Sequence, residues 1–111
     1  MRVHRTKRLA VRIPAVGWKA NISLGENENI EAKIVNLSAG GANLMTEAEY
    51  QLDSKVNLRI KSSQMSFFVT AIVLRNDPYG IAVRFLDLSE STRSSILEII
   101  SRFLSRTKPE N

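Results

Sequence analysis

Residues 55–61 are Lys-Val-Asn-Leu-Arg-Ile-Lys, a segment in which polar and apolar side chains alternate strictly. Successive side chains of a β-strand point to opposite faces of a sheet, so this alternation predicts a strand with one face in a core and the other in water. The next segment, residues 65–75, is rich in the β-branched and aromatic residues that are frequent in strands. We therefore predict a hairpin whose polar link is residues 61–64.

Strand and turn signals continue outward from this hairpin in both directions. On the C-terminal side, residues 76–80 (Asn-Asp-Pro-Tyr-Gly) fit a type I turn that glycine closes. On the N-terminal side, Gly40 and Gly41 mark a turn at residues 38–41. The predicted strands are residues 18–23, 30–37, 42–45, 55–61, 65–75 and 81–86.

The last part of the chain changes its apolar period to spacings of three and four. Such spacing places apolar side chains on one face of an amphipathic helix. The residues concerned are Ile96, Ile99, Ile100, Phe103 and Leu104. Ser89 or Ser91 suits the N-cap, and Pro109 follows where a helix can stop. Six strands followed by one helix predict a mainly β fold, an antiparallel barrel with a C-terminal helix.

Composition excludes several classes of function. The 111 residues fit one domain, which has no cysteine and a single histidine, His4. A disulfide framework and a thiolate metal site are therefore excluded, and a histidine metal site or a Ser-His-Asp triad would depend on His4 alone. The acidic residues form no recognisable acid–base pair, and the sequence has no Walker or Gly-x-Gly-x-x-Gly loop. We predict neither an enzyme nor a metal or cofactor site.

The sequence predicts no membrane or export segment. Its apolar runs are far shorter than the ~20 residues that span a bilayer. The basic N-terminus has no apolar stretch behind it, as a secretory signal would require. We therefore expect a cytoplasmic chain without membrane insertion.

The excess positive charge is concentrated at the N-terminus. The chain has 16 Lys or Arg against 11 Asp or Glu, for a net charge of +5. The part that precedes Ile13 contains five cations and no acidic residue: Arg2, Arg5, Lys7, Arg8 and Arg12. In the rest of the chain the two signs cancel. Such an arm is typical of a solvated tail, or of a segment that binds nucleic acid, a nucleotide or a membrane surface.

Two short motifs narrow what this arm binds. The first is Arg8-Leu9-Ala10-Val11-Arg12, an Arg-x-x-x-Arg pair preceded by Lys7. The second is Asn36-Leu37-Ser38-Ala39-Gly40-Gly41, an Asn-x-Ser-x-x-Gly turn farther along the chain. Taken singly, the first fits two solvated arginines, and the second fits a turn stabilised by its Asn and Ser side chains.

Together and in this order, the two motifs resemble those of the PilZ domain family. That family is marked by an Arg-x-x-x-Arg segment on an N-terminal switch loop and an (Asp/Asn)-x-Ser-x-x-Gly segment on its barrel. Residues 80–86 (Gly-Ile-Ala-Val-Arg-Phe-Leu) are also similar to the family's last strand, and the resemblance covers about residues 7–104. It implies a six-stranded antiparallel β-barrel with a C-terminal α-helix, in a bacterial receptor for the messenger cyclic di-GMP.

The resemblance also implies which residues contact the messenger. They are Arg8, Arg12, Asn36, Ser38 and Gly41, with Lys7 and Gly40 as additional candidates. Arginine donates in a planar fork that matches the O6/N7 edge of guanine or a phosphate. Asn36 offers a carbonyl acceptor and Ser38 a hydroxyl of either sense, while Gly41 leaves room for a close backbone approach.

The expected mechanism is an ordering of the arm. We assign residues 1–14 to a flexible basic arm or switch loop, residues 15–106 to the barrel and helix, and residues 107–111 to a frayed tail. The messenger removes the repulsion among the cations, tethers the arm across the barrel, and changes the surface offered to a downstream protein. The resemblance implies motility or biofilm control as the setting, and homodimerisation stays open.

Two other functions remain open at this point. One is a basic-armed β-barrel that binds single-stranded nucleic acid, although the barrel itself is neutral and its aromatic residues are scattered. The other is a PilZ-like adaptor that does not bind the messenger. The intact motifs favour the receptor.

Overall fold

The computed structural model describes residues 12–24 and 29–107. Within them the chain forms seven strands and one helix. In chain order these are β1 (Ile13–Pro14), β2 (Lys19–Ser23), β3 (Ile30–Leu37), β4 (Gly41–Met45), β5 (Lys55–Lys61), β6 (Ser66–Asp77), β7 (Gly80–Leu86) and α1 (Glu90–Thr107).

Six of the strands close into an antiparallel barrel. They are ordered β3-β2-β5-β6-β7-β4, and β4 pairs back with β3. β1 lies outside this ring and pairs with the end of β3, where Ile13 is opposite Leu37 and Pro14 is opposite Asn36. The predicted six-stranded barrel with a C-terminal helix is confirmed. β1 is an addition to it, because two residues are too few to show a period.

The observed strands agree with the predicted segments to within two residues at each end. β6 extends to Asp77, two residues beyond the prediction, because its backbone stays paired with β7 as far as Asp77 and Gly80. This pairing leaves a turn of two residues, Pro78 and Tyr79. β4 likewise begins one residue earlier than predicted, at Gly41.

The apolar faces of the strands fill the barrel. The alternation in β5 places Val56, Leu58 and Ile60 in the core, where each is fully buried. Other large side chains with almost no exposed surface come from the remaining strands and the helix: Ile22, Leu37, Leu44, Val73, Ile81 and Ile96. Burial on this scale stabilises a fold by about 1.5–3 kcal/mol for each such side chain.

The helix α1 packs against β1 and β6. Ser89 is its N-cap, because the Ser89 hydroxyl oxygen accepts a hydrogen bond from the Thr92 N–H at 3.1 Å. This contact decides between the two predicted caps. Ile96 and Ile100 are buried against the barrel, and Phe103 is partly buried beside them. No helix in the described part of the chain is long and apolar enough to cross a membrane.

Candidate ligand-binding site

A β-bulge in β3 turns Asn36 outward. Ile34 and Leu37 are both buried, although a regular strand would send residues three apart to opposite faces. The pairing with β4 shifts register between Ile34 and Asn36, and the extra residue returns Leu37 to the core. Asn36 therefore lies on the outer face of the barrel, opposite Asn43 of β4.

Asn36 joins the two predicted motifs. Its Oδ1 accepts hydrogen bonds from Arg12 Nη1 and from Asn43 Nδ2, each at 3.0 Å. Arg12 is exposed, so the other donors of its guanidinium fork remain accessible to a ligand. The Asn36 carbonyl, which the prediction reserved for a ligand, already has both lone pairs in use. While Arg12 stays bound to it, the group that Asn36 leaves open is its amide NH₂, and the contact of its carbonyl with a ligand stays a prediction.

Ser38 is buried in the turn that follows, with only 3% of its surface exposed. Its hydroxyl donates to the Gly41 carbonyl at 3.2 Å and accepts from the N–H groups of Gly40 at 3.3 Å and Gly41 at 3.2 Å. The Gly40 carbonyl accepts from the Phe85 N–H at 2.8 Å, which ties the turn to β7. The Ser38 hydroxyl thus holds the turn that follows Asn36, and its contact with a ligand stays a prediction.

Gly41 allows β4 to approach β7 closely. A Cβ at Gly41 would collide with the carbonyl oxygen of Val83, and a Cβ at Gly80 would collide with that of Leu44. The two glycines lie at opposite ends of the β4–β7 pairing, so at both ends the close approach of the two backbones requires a residue without a side chain. Gly40 differs from both, since a Cβ added there has nothing within 4 Å.

Two polar side chains that were not predicted lie on the same surface. Arg84 is the cross-strand partner of Gly41 and is exposed. The alternation along β7 already points Arg84 outward, so the signal was present in the sequence. Asn43 is the second of these two side chains. Its Oδ1 is buried and has no hydrogen-bond partner among the described residues.

The surface around Asn36 carries positive charge. Arg12 and Arg84 are exposed, and neither forms a salt bridge with a residue that the structure describes. Lys7 and Arg8 of the predicted site lie outside the described residues. Within residues 12–24 and 29–107 no cluster of three potential metal ligands occurs. The arrangement offers guanidinium forks and an amide donor, which suit an anion with planar bases.

The family model of the PilZ domain matches residues 5–102. The chain belongs to the PilZ domain family. The match includes both motifs, the whole barrel and most of α1, so the surface around Asn36 is part of a PilZ domain. Comparison with curated protein sequences gives no match.

Solved structures share this PilZ fold. Escherichia coli YcgR in complex with cyclic di-GMP has a TM-score of 0.74 at 19% identity, covering 88% of this chain and 46% of that chain. The PilZ domain of YcgR with cyclic di-GMP has a TM-score of 0.73 at 18% identity, covering 88% and 92%. The Bacillus subtilis inhibitor of motility MotI/DgrA has a TM-score of 0.74 at 21% identity, covering 89% and 52%. The chain thus spans about half the length of YcgR and of MotI/DgrA.

Proposed function

We propose that this chain is a bacterial receptor for cyclic di-GMP, a regulatory protein and not an enzyme. The messenger binds on the outer face of the barrel, between the N-terminal arm and the turn at residues 38–41. The observation that carries the proposal is the hydrogen bond from Arg12 to Asn36, because it brings the two motifs together on one exposed surface. PilZ domains of the same fold hold cyclic di-GMP in the YcgR structures.

The chemistry of the surface suits this ligand. Cyclic di-GMP presents two phosphates and two guanines, whose O6 and N7 atoms accept hydrogen bonds. Arg12 and Arg84 supply planar donor forks, which pair with a phosphate or a guanine edge and stack on a base. Asn36 adds its amide NH₂. Arg8 and Lys7 extend the cationic arm in this proposal.

In this proposal the remaining motif residues shape the backbone around the site. Ser38 holds the turn through its hydroxyl, and Gly41 lets β4 lie against β7. Gly40 is exposed and leaves open space where a ligand can approach. Their part in binding is to fix where Asn36 and Arg84 sit relative to each other.

Binding is proposed to move the arm. Arg12 is held by one exposed hydrogen bond, and Ile13 and Pro14 by a short pairing with β3. A doubly charged ligand that takes Arg12 as a partner reorders residues 1–14 and changes the surface seen by a downstream protein. A receptor for an intracellular messenger works in the cytoplasm, and motility or biofilm control are the settings we propose.

Calorimetric titration of the full chain with cyclic di-GMP tests the site. Arg12→Ala is expected to weaken binding about 5- to 150-fold, the effect of about 1–3 kcal/mol for one bidentate contact. The thermal midpoint of the free protein should stay nearly unchanged, because Arg12 is exposed. Arg93→Ala is the matched control, since Arg93 is likewise an exposed arginine and belongs to neither motif. Equal affinities for Arg12→Ala and Arg93→Ala would contradict the proposed site.

A parallel titration with a single-stranded oligonucleotide, at two salt concentrations, separates the receptor from a nucleic-acid-binding barrel. Nucleic acid binding weakens steeply with salt because counterions are released from the phosphate backbone. We expect the messenger to bind more tightly than the oligonucleotide and to lose less affinity in salt. An absence of heat with cyclic di-GMP would instead indicate an adaptor that does not bind it.

A further inference from the structure

Three lysines lie side by side on the outer face of the barrel. Lys19 of β2 is the direct cross-strand partner of Lys33 on β3 and of Lys61 on β5. Neighbouring strands are about 4.8 Å apart, so the three side chains leave the sheet within about 10 Å of one another. Lys19 and Lys33 are exposed and Lys61 is partly buried. We call these three residues the lysine row.

The lysine row opposes the stability of the fold. Like charges directly opposite each other on neighbouring strands are destabilising. Glu31 reaches only Lys61, at 3.9 Å, and Lys19 and Lys33 form no salt bridge with a residue that the structure describes. The central lysine, Lys19, therefore has a cation on each side and no acidic partner among residues 12–24 and 29–107. An anion bound from outside would relieve this repulsion.

An open groove of about 940 Å³ lies beside the lysine row. Lys19 and Lys33 line it together with the apolar side chains of Met45, Ala48 and Tyr79. Met45 is 49% exposed and Tyr79 is 79% exposed, so this apolar surface is open to a partner. The groove thus combines a cationic edge with an apolar wall.

We propose that the lysine row and this groove dock an acidic segment of a partner protein that also carries an apolar side chain. Its carboxylates lie against the lysine row, and its apolar side chain packs against Met45 and Tyr79. Glu31 and Glu47 also line the groove. A polymer with a negative charge on every unit, or an anionic membrane, would bring charges against both glutamates, whereas the carboxylates of a peptide are discrete and avoid them. None of the residues that line this groove belongs to the proposed messenger site.

The test uses the full chain, without cyclic di-GMP, and a synthetic decapeptide in which a central Leu-Phe is flanked on each side by a single glutamate, with serine and glycine at the other positions. In an NMR titration we expect the amide signals of Lys19, Lys33 and Tyr79 to shift. Lys19→Glu should weaken binding at least about fivefold, because a repulsive carboxylate replaces the central cation. Lys55→Glu is the matched control, an exposed lysine of the same barrel outside the row, and should change the affinity less than about twofold.

A second readout separates docking from a general loss of structure. Lys19→Glu converts two repulsive cross-strand pairs into attractive ones, so its thermal midpoint should rise by about 2–5 °C. A variant that is more stable and yet binds less well supports the proposal. Unchanged peptide affinity in Lys19→Glu would overturn it. Tighter binding of decathymidylate, or of phosphatidylglycerol vesicles, than of the peptide at the lysine row would also overturn the proposal. Because no messenger is present, failure here leaves the receptor proposal intact.

Discussion

The turn at residues 38–41 and the lysine row act on the fold in opposite ways. In the turn, Ser38 and Gly41 are buried, hydrogen-bonded to each other and packed against β7. In the row, Lys19 stands exposed between two like charges. The turn stabilises the barrel, and the row weakens it slightly while presenting charge to solvent. Burial and hydrogen bonding therefore separate residues that build the protein from residues that a ligand can reach.

The same distinction divides the motif itself. Ser38 and Gly41 have their partners within the fold, whereas Arg12 and Asn36 meet through one exposed hydrogen bond. Substitutions in the first pair should change the free energy of unfolding most. Substitutions in the second pair should change ligand affinity most.

The largest expected effect is that of Gly41→Ala compared with Gly40→Ala. An alanine methyl at Gly41 would meet the Val83 carbonyl, and backbone has little freedom to move, so we expect a destabilisation of about 2–3 kcal/mol. The same methyl at Gly40 points into open space and should change stability by less than about 0.5 kcal/mol. Urea unfolding of both variants measures the difference. Equal midpoints would contradict the close approach of β4 to β7.

The next effect compares two serines that stabilise turns in the same way. Ser38 and Ser62 each accept hydrogen bonds from two backbone N–H groups, but Ser38 is buried and the bonds of Ser62 are exposed. Ser38→Ala removes the acceptor of one buried and one partly buried N–H group and should cost about 1–3 kcal/mol. Ser62→Ala lets water replace the hydroxyl and should cost less than about 1 kcal/mol. A larger loss for Ser62→Ala would show that burial does not decide the contribution.

Much of the barrel could be predicted from local patterns. The strict alternation of β5 and the apolar spacing of α1 are each complete within one segment, and both elements are confirmed, although Leu104 of the predicted apolar face is 45% exposed. The bulge in β3 could not be predicted in this way. Ile34 and Val35 are both apolar, so the sequence does not show which of them faces the core, and only the register with β4 places Asn36 outward.

The candidate site needed contacts between distant segments. The resemblance named Arg12, Asn36, Ser38 and Gly41. It did not show that the Ser38 side chain is buried, or that Gly41 packs directly against the backbone of β7. The hydrogen bonds of Ser38 are local and follow the bulge that the pairing with β4 produces. The contact of Gly41 depends on β7, which lies far along the chain. The lysine row could not be predicted either, because its three members lie on three strands that become neighbours only when the barrel closes.

The smallest expected effect is that of Asn36→Asp, which tests the exposed side of the comparison. A carboxylate would convert the bond from Arg12 into a salt bridge, and exposed pairs of this kind contribute about 0.2–1 kcal/mol. Thermal unfolding of the free protein should show that gain in low salt and lose most of it in 1 M NaCl, because salt screens exposed charges. In the Arg12→Ala background the same substitution should give no gain, which isolates the pair. A gain in stability that persists both in 1 M NaCl and in the Arg12→Ala background would show that the new carboxylate acts within the turn. Asn36 would then belong with Ser38 and Gly41 rather than with the residues that a ligand can reach.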